Sequence, residues 1–154
     1  MKYLIYFILF ATIVSCTSKE VYNKTYTIGE VWTYNDSLVY DYTIQDTLIP
    51  YNLFLTITHG KDYKYENLYV NASTLFPDGR RTSYPVSLEL ADDHGQWVGQ
   101  CSGSECTTEI GMANNAYFQK PGKYQLVLKQ FSRTDTLSGI RSLQLQIVQS
   151  DIKK

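Results

Sequence analysis

Histidine is nearly absent from this chain, with 2 in 154 residues, and cysteine is scarce, with 3. Nucleophilic catalysis needs an activated Ser or Cys beside a base. The only imidazoles, His59 and His94, both sit at turn signals outside any local catalytic motif. The expectation is therefore a protein that is not an enzyme. Three cysteines cannot frame the fold, and a chain of this length has no need of a frame, since such a domain buries about two-thirds of its unfolded surface. An excess of basic charge is missing as well. The formal net charge is −1, and Lys2 is the only charged residue before Cys16, so 13 basic residues face 15 acidic ones beyond it. That balance excludes the concentrated positive surface a nucleic-acid partner requires. Helical spacing of apolar residues is lacking throughout, as is any sequence repeat. The one long apolar run, Tyr3 to Val14, is too short to span a bilayer, which takes about twenty residues.

Tyrosine is abundant, at 14 residues, and tyrosine favours sheet surfaces where the ring packs and the hydroxyl reaches water. Beyond Tyr26 the apolar residues alternate with period two, the strand signal. Leu38, Tyr40, Tyr42 and Ile44 share one face of a first strand. Leu53, Leu55 and Ile57 form a second, ended by His59-Gly60, and Leu68, Val70, Ala72 and Thr74 a third. Pro77-Asp78-Gly79 is a strong turn, because Pro presets φ, Asp bonds its own backbone and Gly accepts positive φ. The return strand carries Val86, Leu88 and Leu90, with Pro85 marking an edge or a strand start. Asp92 to Gly95 turns the chain towards Trp97-Val98, residues 99–111 read as loop, and Ala116 to Phe118 as a short strand. After the Pro121-Gly122 turn, Tyr124 to Gln130 and Leu143 to Ile147 complete the set. About eight short strands punctuated by Gly and Pro predict an all-β antiparallel sandwich, jelly-roll or Ig-like, with a closed barrel as the alternative.

The N-terminal region carries the most specific chemical signal. Lys2, the apolar run and Ile13-Val14-Ser15-Cys16 have the layout of an exported precursor's signal peptide. Its ending resembles a bacterial lipobox, with a small residue before the thiol that is acylated. The expected organisation is a lipoprotein signal peptide over 1–15, a lipidated N-terminus and tether over 16–26, and a β-sandwich domain over 27–154. Cys16 is the lipidation site, and several acyl chains there give a stable membrane anchor.

Export also bears on Cys101 and Cys106, which lie in an oxidising compartment and can form a disulfide or remain two thiols. Their spacing is not C-x-x-C, so a bridge would be a loop staple and not a redox site. Asp92, Asp93 and His94 offer oxygen and nitrogen donors but too few for a metal site, and read as a solvated turn closed by Gly95. No metal and no cofactor is expected. Tyr63, Tyr65 and Tyr69 read either as a sugar-stacking platform or as rings that pack on neighbouring strands, with packing preferred. Asp36-Ser37-Leu38, Asp46-Thr47-Leu48 and Asp135-Thr136-Leu137 each match a three-residue O-glycosylation pattern of exported proteins in Bacteroidetes-type bacteria.

An ordered series of residues then carries a resemblance over almost the whole chain after Cys16. It runs through Tyr51-Asn52-Leu53, Tyr63-x-Tyr65-x-Asn67-Leu68-Tyr69 and Phe76-Pro77-Asp78-Gly79. It continues through Leu90-Ala91-Asp92, Gly95-x-Trp97-x-Gly99, Phe118-x-x-Pro121-Gly122-x-Tyr124, Leu137-x-Gly139-Ile140 and Leu145-x-Ile147. The series resembles the gliding-motility lipoprotein family GldH of Bacteroidetes-type bacteria. Lys64 stands where the family tends to have Pro, and the loop from Cys101 to Cys106 looks peculiar to this sequence. The resemblance implies a non-enzymatic envelope lipoprotein, held through acyl chains on Cys16 and placed at the outer membrane. It implies an accessory or structural role in gliding motility and type 9 secretion, with other envelope motility or secretion proteins as partners. No nucleic-acid partner and no small-molecule substrate is indicated. The alternative function is a glycan-binding surface lipoprotein that uses exposed tyrosines.

Overall fold

The computed structural model describes residues 19–151, and every regular element in them is a β-strand. Eight strands are long: β1 (Glu20–Thr27), β3 (Ser37–Ile44), β4 (Tyr51–Gly60), β5 (Asn67–Leu75), β6 (Arg81–Glu89), β8 (Glu105–Ala116), β9 (Gly122–Gln130) and β11 (Ile140–Gln149). Three more are three residues each: β2 (Val31–Thr33), β7 (Gln100–Ser102) and β10 (Thr136–Ser138).

One sheet has the order β1-β11-β4-β8-β7 and the other β3-β9-β5-β6, with β2 and β10 paired separately. All pairings are antiparallel. Taken over the long strands, first pairs with last, second with seventh, third with sixth and fourth with fifth. That nesting is the jelly roll, a sandwich of two Greek keys. Both sheets are open, so the structure is a sandwich and not a barrel.

The alternating faces meet between the sheets, as period two requires. Leu38, Tyr40, Tyr42 and Ile44 of β3, Leu68, Val70 and Ala72 of β5, and Leu88 of β6 are buried from one side. Leu55 and Ile57 of β4, with Leu143, Leu145 and Ile147 of β11, are buried from the other. The Tyr40 hydroxyl crosses the core to donate to Leu143 O at 3.0 Å. Burial raises its pKa, as it does those of Tyr42 and Tyr63.

Three expectations are revised. The polar stretch expected as a tether is β1 from Glu20 onwards, paired along its length with β11. The folded unit therefore includes Glu20 and does not begin at residue 27. Lys24 hides the strand, because it stands between Tyr22 and Tyr26 on the inner face. Its Nζ is held by Tyr26 Oη at 2.6 Å and Val39 O at 3.0 Å. An inward-facing charge on an edge strand also discourages pairing with other chains. The segment expected as a loop over 99–111 holds β7 and most of β8, whose inward positions are the small or polar Cys106 and Thr108 before Ile110 and Met112. The strand expected at 116–118 is only the end of β8. β4 and β5 lie in different sheets, so 51–99 holds one long hairpin, β5–β6, and the Asp92 turn closes with a single bridge, Ala91 to Trp97.

Candidate functional site

The loops gather at the two ends of the sandwich. At one end lie Glu20, the β3–β4 connection, the β5–β6 turn, the segment between β8 and β9, and Gln149. Here Pro77-Asp78-Gly79 meets Pro121-Gly122. Gly79 has φ 82° and Gly122 has φ 133°, and a Cβ on Gly122 would stand 2.9 Å from Pro77 Cβ. Asp78 Oδ2 accepts from Arg80 Nε at 2.8 Å and from Lys120 Nζ at 3.1 Å. The hydrogen bonds from Arg80, then from Lys120, hold the Asp78 carboxyl down at about 2. Beneath this clasp Phe76, Phe118, Tyr124 and Tyr42 stack and abut, with Tyr42 and Tyr124 parallel at 5.6 Å. The Tyr124 hydroxyl donates to Lys120 O at 2.7 Å, and that of Tyr51 to Asp46 O at 2.6 Å. Asn52 Oδ1 accepts from the Asn115 amide at 2.8 Å, steadying a residue with φ 51° at the bulged end of β8.

The opposite end is built on His59. Its ring is wholly buried, 4.5 Å from Trp97 and 5.7 Å from Tyr63. Nδ1 bonds Gly60 O at 2.9 Å, so Nδ1 carries the proton, and Nε2 has no partner among the described residues. Among the described residues no Ser or Cys is hydrogen-bonded to it. A histidine sealed in this way is core, out of reach of a substrate. Gly139, at φ 94°, leaves room for the Tyr63 ring, and Gly99 lies where a Cβ would meet Thr107 O at 2.3 Å. His94 is exposed in the turn, where Asp92 Oδ1 accepts the amides of His94 and Gln96, both at 2.9 Å. Asp92 is thereby engaged by backbone. Among the described residues no three His, Cys, Asp or Glu side chains gather into a metal-binding group.

Cys101 and Cys106 face each other across the β7–β8 hairpin, with Cα atoms 4.0 Å apart and the sulfurs joined. Cys106 is buried and Cys101 is exposed. Cys16 lies outside the described residues. Of the three tripeptide patterns, Thr136 is exposed, while Ser37 and Thr47 are half-buried. Asp36 and Asp46 cap their own turns through Thr33 and Leu48.

The three tyrosines considered together in the sequence are divided. Tyr63 is buried and donates to Asn67 O at 3.2 Å. Tyr65 and Tyr69 remain about half exposed, at 48% and 46%. They line a groove of about 830 Å³ at the His59 end of the sandwich, joined by Lys64, Glu66, Asn67, Phe131, Ser132 and Arg133. Phe131 and Arg133 are contributed from beyond the end of β9, some sixty positions later, and no local pattern could have linked them to the tyrosines. Asn67 Nδ2 lies 3.4 Å from the Tyr69 hydroxyl and 3.3 Å from Ser87 Oγ. Hydrogen bonds from Asn67 and then Ser87 lower the Tyr69 pKa.

The family model described as GldH lipoprotein matches residues 20–147. The chain belongs to the GldH lipoprotein family. Among curated relatives, a gliding motility lipoprotein GldH homolog of Christiangramia forsetii is 30% identical, covering 94% of this chain and 95% of its own. The gliding motility lipoprotein GldH of Flavobacterium johnsoniae is 24% identical, covering 89% of each. Among solved structures, a chain from the structure of infectious bursal disease virus Gx strain matches with TM-score 0.37 and 14% identity. That match covers 84% of this chain and 33% of the viral one. A likeness that loose carries no functional weight. Several residues of the GldH-like series shape the two ends: Asn52, Pro77 to Gly79, Trp97, Gly99, Gly122, Tyr124 and Gly139 set turns, close approaches and caps. They are architectural residues.

Proposed function

We propose that this GldH-family protein is a non-enzymatic lipoprotein of the cell envelope, anchored through acyl chains on Cys16, that serves gliding motility and type 9 secretion as an accessory component. The observation that carries the reading is the family match, which runs through nearly all of the sandwich, together with relatives of the same length whose names place them in gliding motility. An orientation follows from this reading. Cys16 lies three positions before Lys19, a reach of at most about 10 Å at roughly 3.5 Å per residue. With so short a leash, the end bearing Glu20 and the Pro77–Gly122 clasp sits against the outer membrane, and the His59 end faces away from it. Contacts with motility or secretion proteins then fall on the sheet faces and on that distal end. Fractionation of cells producing Cys16→Ala tests the anchor. The variant is expected to leave the membrane fraction or accumulate with its leader attached, and a variant that is processed and membrane-bound like the parent would overturn the reading.

A further inference from the structure

We propose that the groove between Tyr65, Tyr69 and Phe131 is a binding site for a neutral oligosaccharide. A volume of about 830 Å³ lies within the range of small-ligand sites. Three aromatic rings line it and stay accessible: Tyr65, Tyr69 and Phe131 keep 48%, 46% and 56% of their surface in solvent. Flat rings of this kind suit the apolar faces of sugar rings.

The polar groups around the rings narrow the ligand class. Lys64 and Arg133 supply donors and Glu66 supplies acceptors, and among the described residues none of the three is in an ion pair. Glu89, outside the lining but paired opposite Asn67 across β5 and β6, stands beside the groove, so the two signs balance. A balanced rim favours a ligand with no net charge that both donates and accepts, which is what sugar hydroxyls do. An anionic polymer would face two carboxylates, and a purely apolar ligand would strip water from four charges with no return. Leading away from the groove, the outer face of β5 and β6 presents uncharged amides and hydroxyls. Ser83 Oγ bonds Asn71 Oδ1 at 3.1 Å and Ser73 Oγ at 2.8 Å, while Asn67 reaches Ser87.

A peptide is disfavoured by the backbone. Strand addition needs free main-chain groups on an open edge. In the groove the Asn67 carbonyl is taken by the Tyr63 hydroxyl at 3.2 Å and the Tyr69 carbonyl by the Phe131 amide at 2.8 Å. Recognition is left to side chains, which matches a saccharide.

The test uses the full-length lipidated protein in detergent micelles on an array of cello-, chito-, xylo-, manno- and malto-oligosaccharides, with acidic oligosaccharides and proline-rich peptides as comparators. Because binding is read in vitro, its failure is distinct from failure of the anchor or of the motility role. At least one neutral series is expected to be retained. Removing a stacking ring by Tyr65→Ala or Phe131→Ala should weaken that retention about tenfold. Tyr84→Ala, which removes an exposed ring outside the groove, should leave it unchanged. Thermal melts check that each variant is folded. Three results would overturn the proposal: no retained neutral oligosaccharide, retention indifferent to Tyr65→Ala and Phe131→Ala in folded protein, or retention of acidic sugars or peptides alone.

Discussion

Gly122→Ala tests most sharply whether the glycines of the GldH-like series are architectural. Two independent effects act at this position. The backbone φ of 133° lies where a side chain is strained, at a cost of about 1–3 kcal/mol. The added Cβ would also stand 2.9 Å from Pro77 Cβ and 3.2 Å from its Cγ, and overpacking of this sort costs about 1–3 kcal/mol when the neighbours cannot yield. Pro77 cannot yield easily, because its ring is fixed in a turn whose next residue, Asp78, is tied to Arg80 and Lys120. The expected loss is about 3 kcal/mol, or a fall in melting temperature of roughly 6–12 °C for a domain of this size. Urea denaturation of the purified protein measures it, with Gly111→Ala as control, since a Cβ there meets nothing within 4 Å. Repeating the change in a Pro77→Gly background separates the two effects. The steric part should be relieved by about 1 kcal/mol or more while the φ cost stays. A Gly122→Ala variant within about 0.5 kcal/mol of the parent, the usual range for an unconstrained surface position, would refute the reasoning.

Other parts of the account yield to similar measurements. Tyr40→Phe deletes the hydroxyl that joins the two sheets through Leu143 O and should cost about 1 kcal/mol in urea unfolding. The double variant Cys101→Ala, Cys106→Ala releases a loop of separation 5. It should lose about 2 kcal/mol by the chain-entropy estimate, while intact mass without reductant verifies the bond in the parent. Asp78 has its pKa lowered from 3.8 to about 2. A lowered carboxylate stabilises the fold fully above its unfolded pKa and loses that contribution as pH falls through its folded one. Asp78→Asn should therefore lower stability at neutral pH and flatten the fall in stability between about pH 4 and 2. An acid titration of the melting temperature shows whether that arm is lost.

How far the chain discloses its fold depends on what each strand buries. Six of the eight long strands were legible because one face is Leu, Ile, Val or Tyr at every second position, as in Leu38 to Ile44 and Leu143 to Ile147. β1 was not, because Lys24 occupies an inward position and is accommodated only by Tyr26 and the Val39 carbonyl on a neighbouring strand. β8 was not, because Cys106 and Thr108 point inward where a large apolar residue would signal a strand. The turns were legible in their glycines and aspartates, as with Asp92 and Gly79. Which turns meet was not, because the approach of Pro77 to Gly122 is a product of the jelly-roll order. The groove follows the same logic. Tyr65 and Tyr69 are apparent in the sequence, whereas Phe131 and Arg133 join them only through the pairing of β5 with β9.

We propose that this member of the GldH family works by contact within the motility and secretion apparatus. Crosslinking of the native protein in intact membranes, followed by identification of what is attached, tests it most directly. Motility or secretion components recovered with the parent, and lost with Cys16→Ala, are the predicted result. Their absence under conditions that capture other envelope complexes would contradict it.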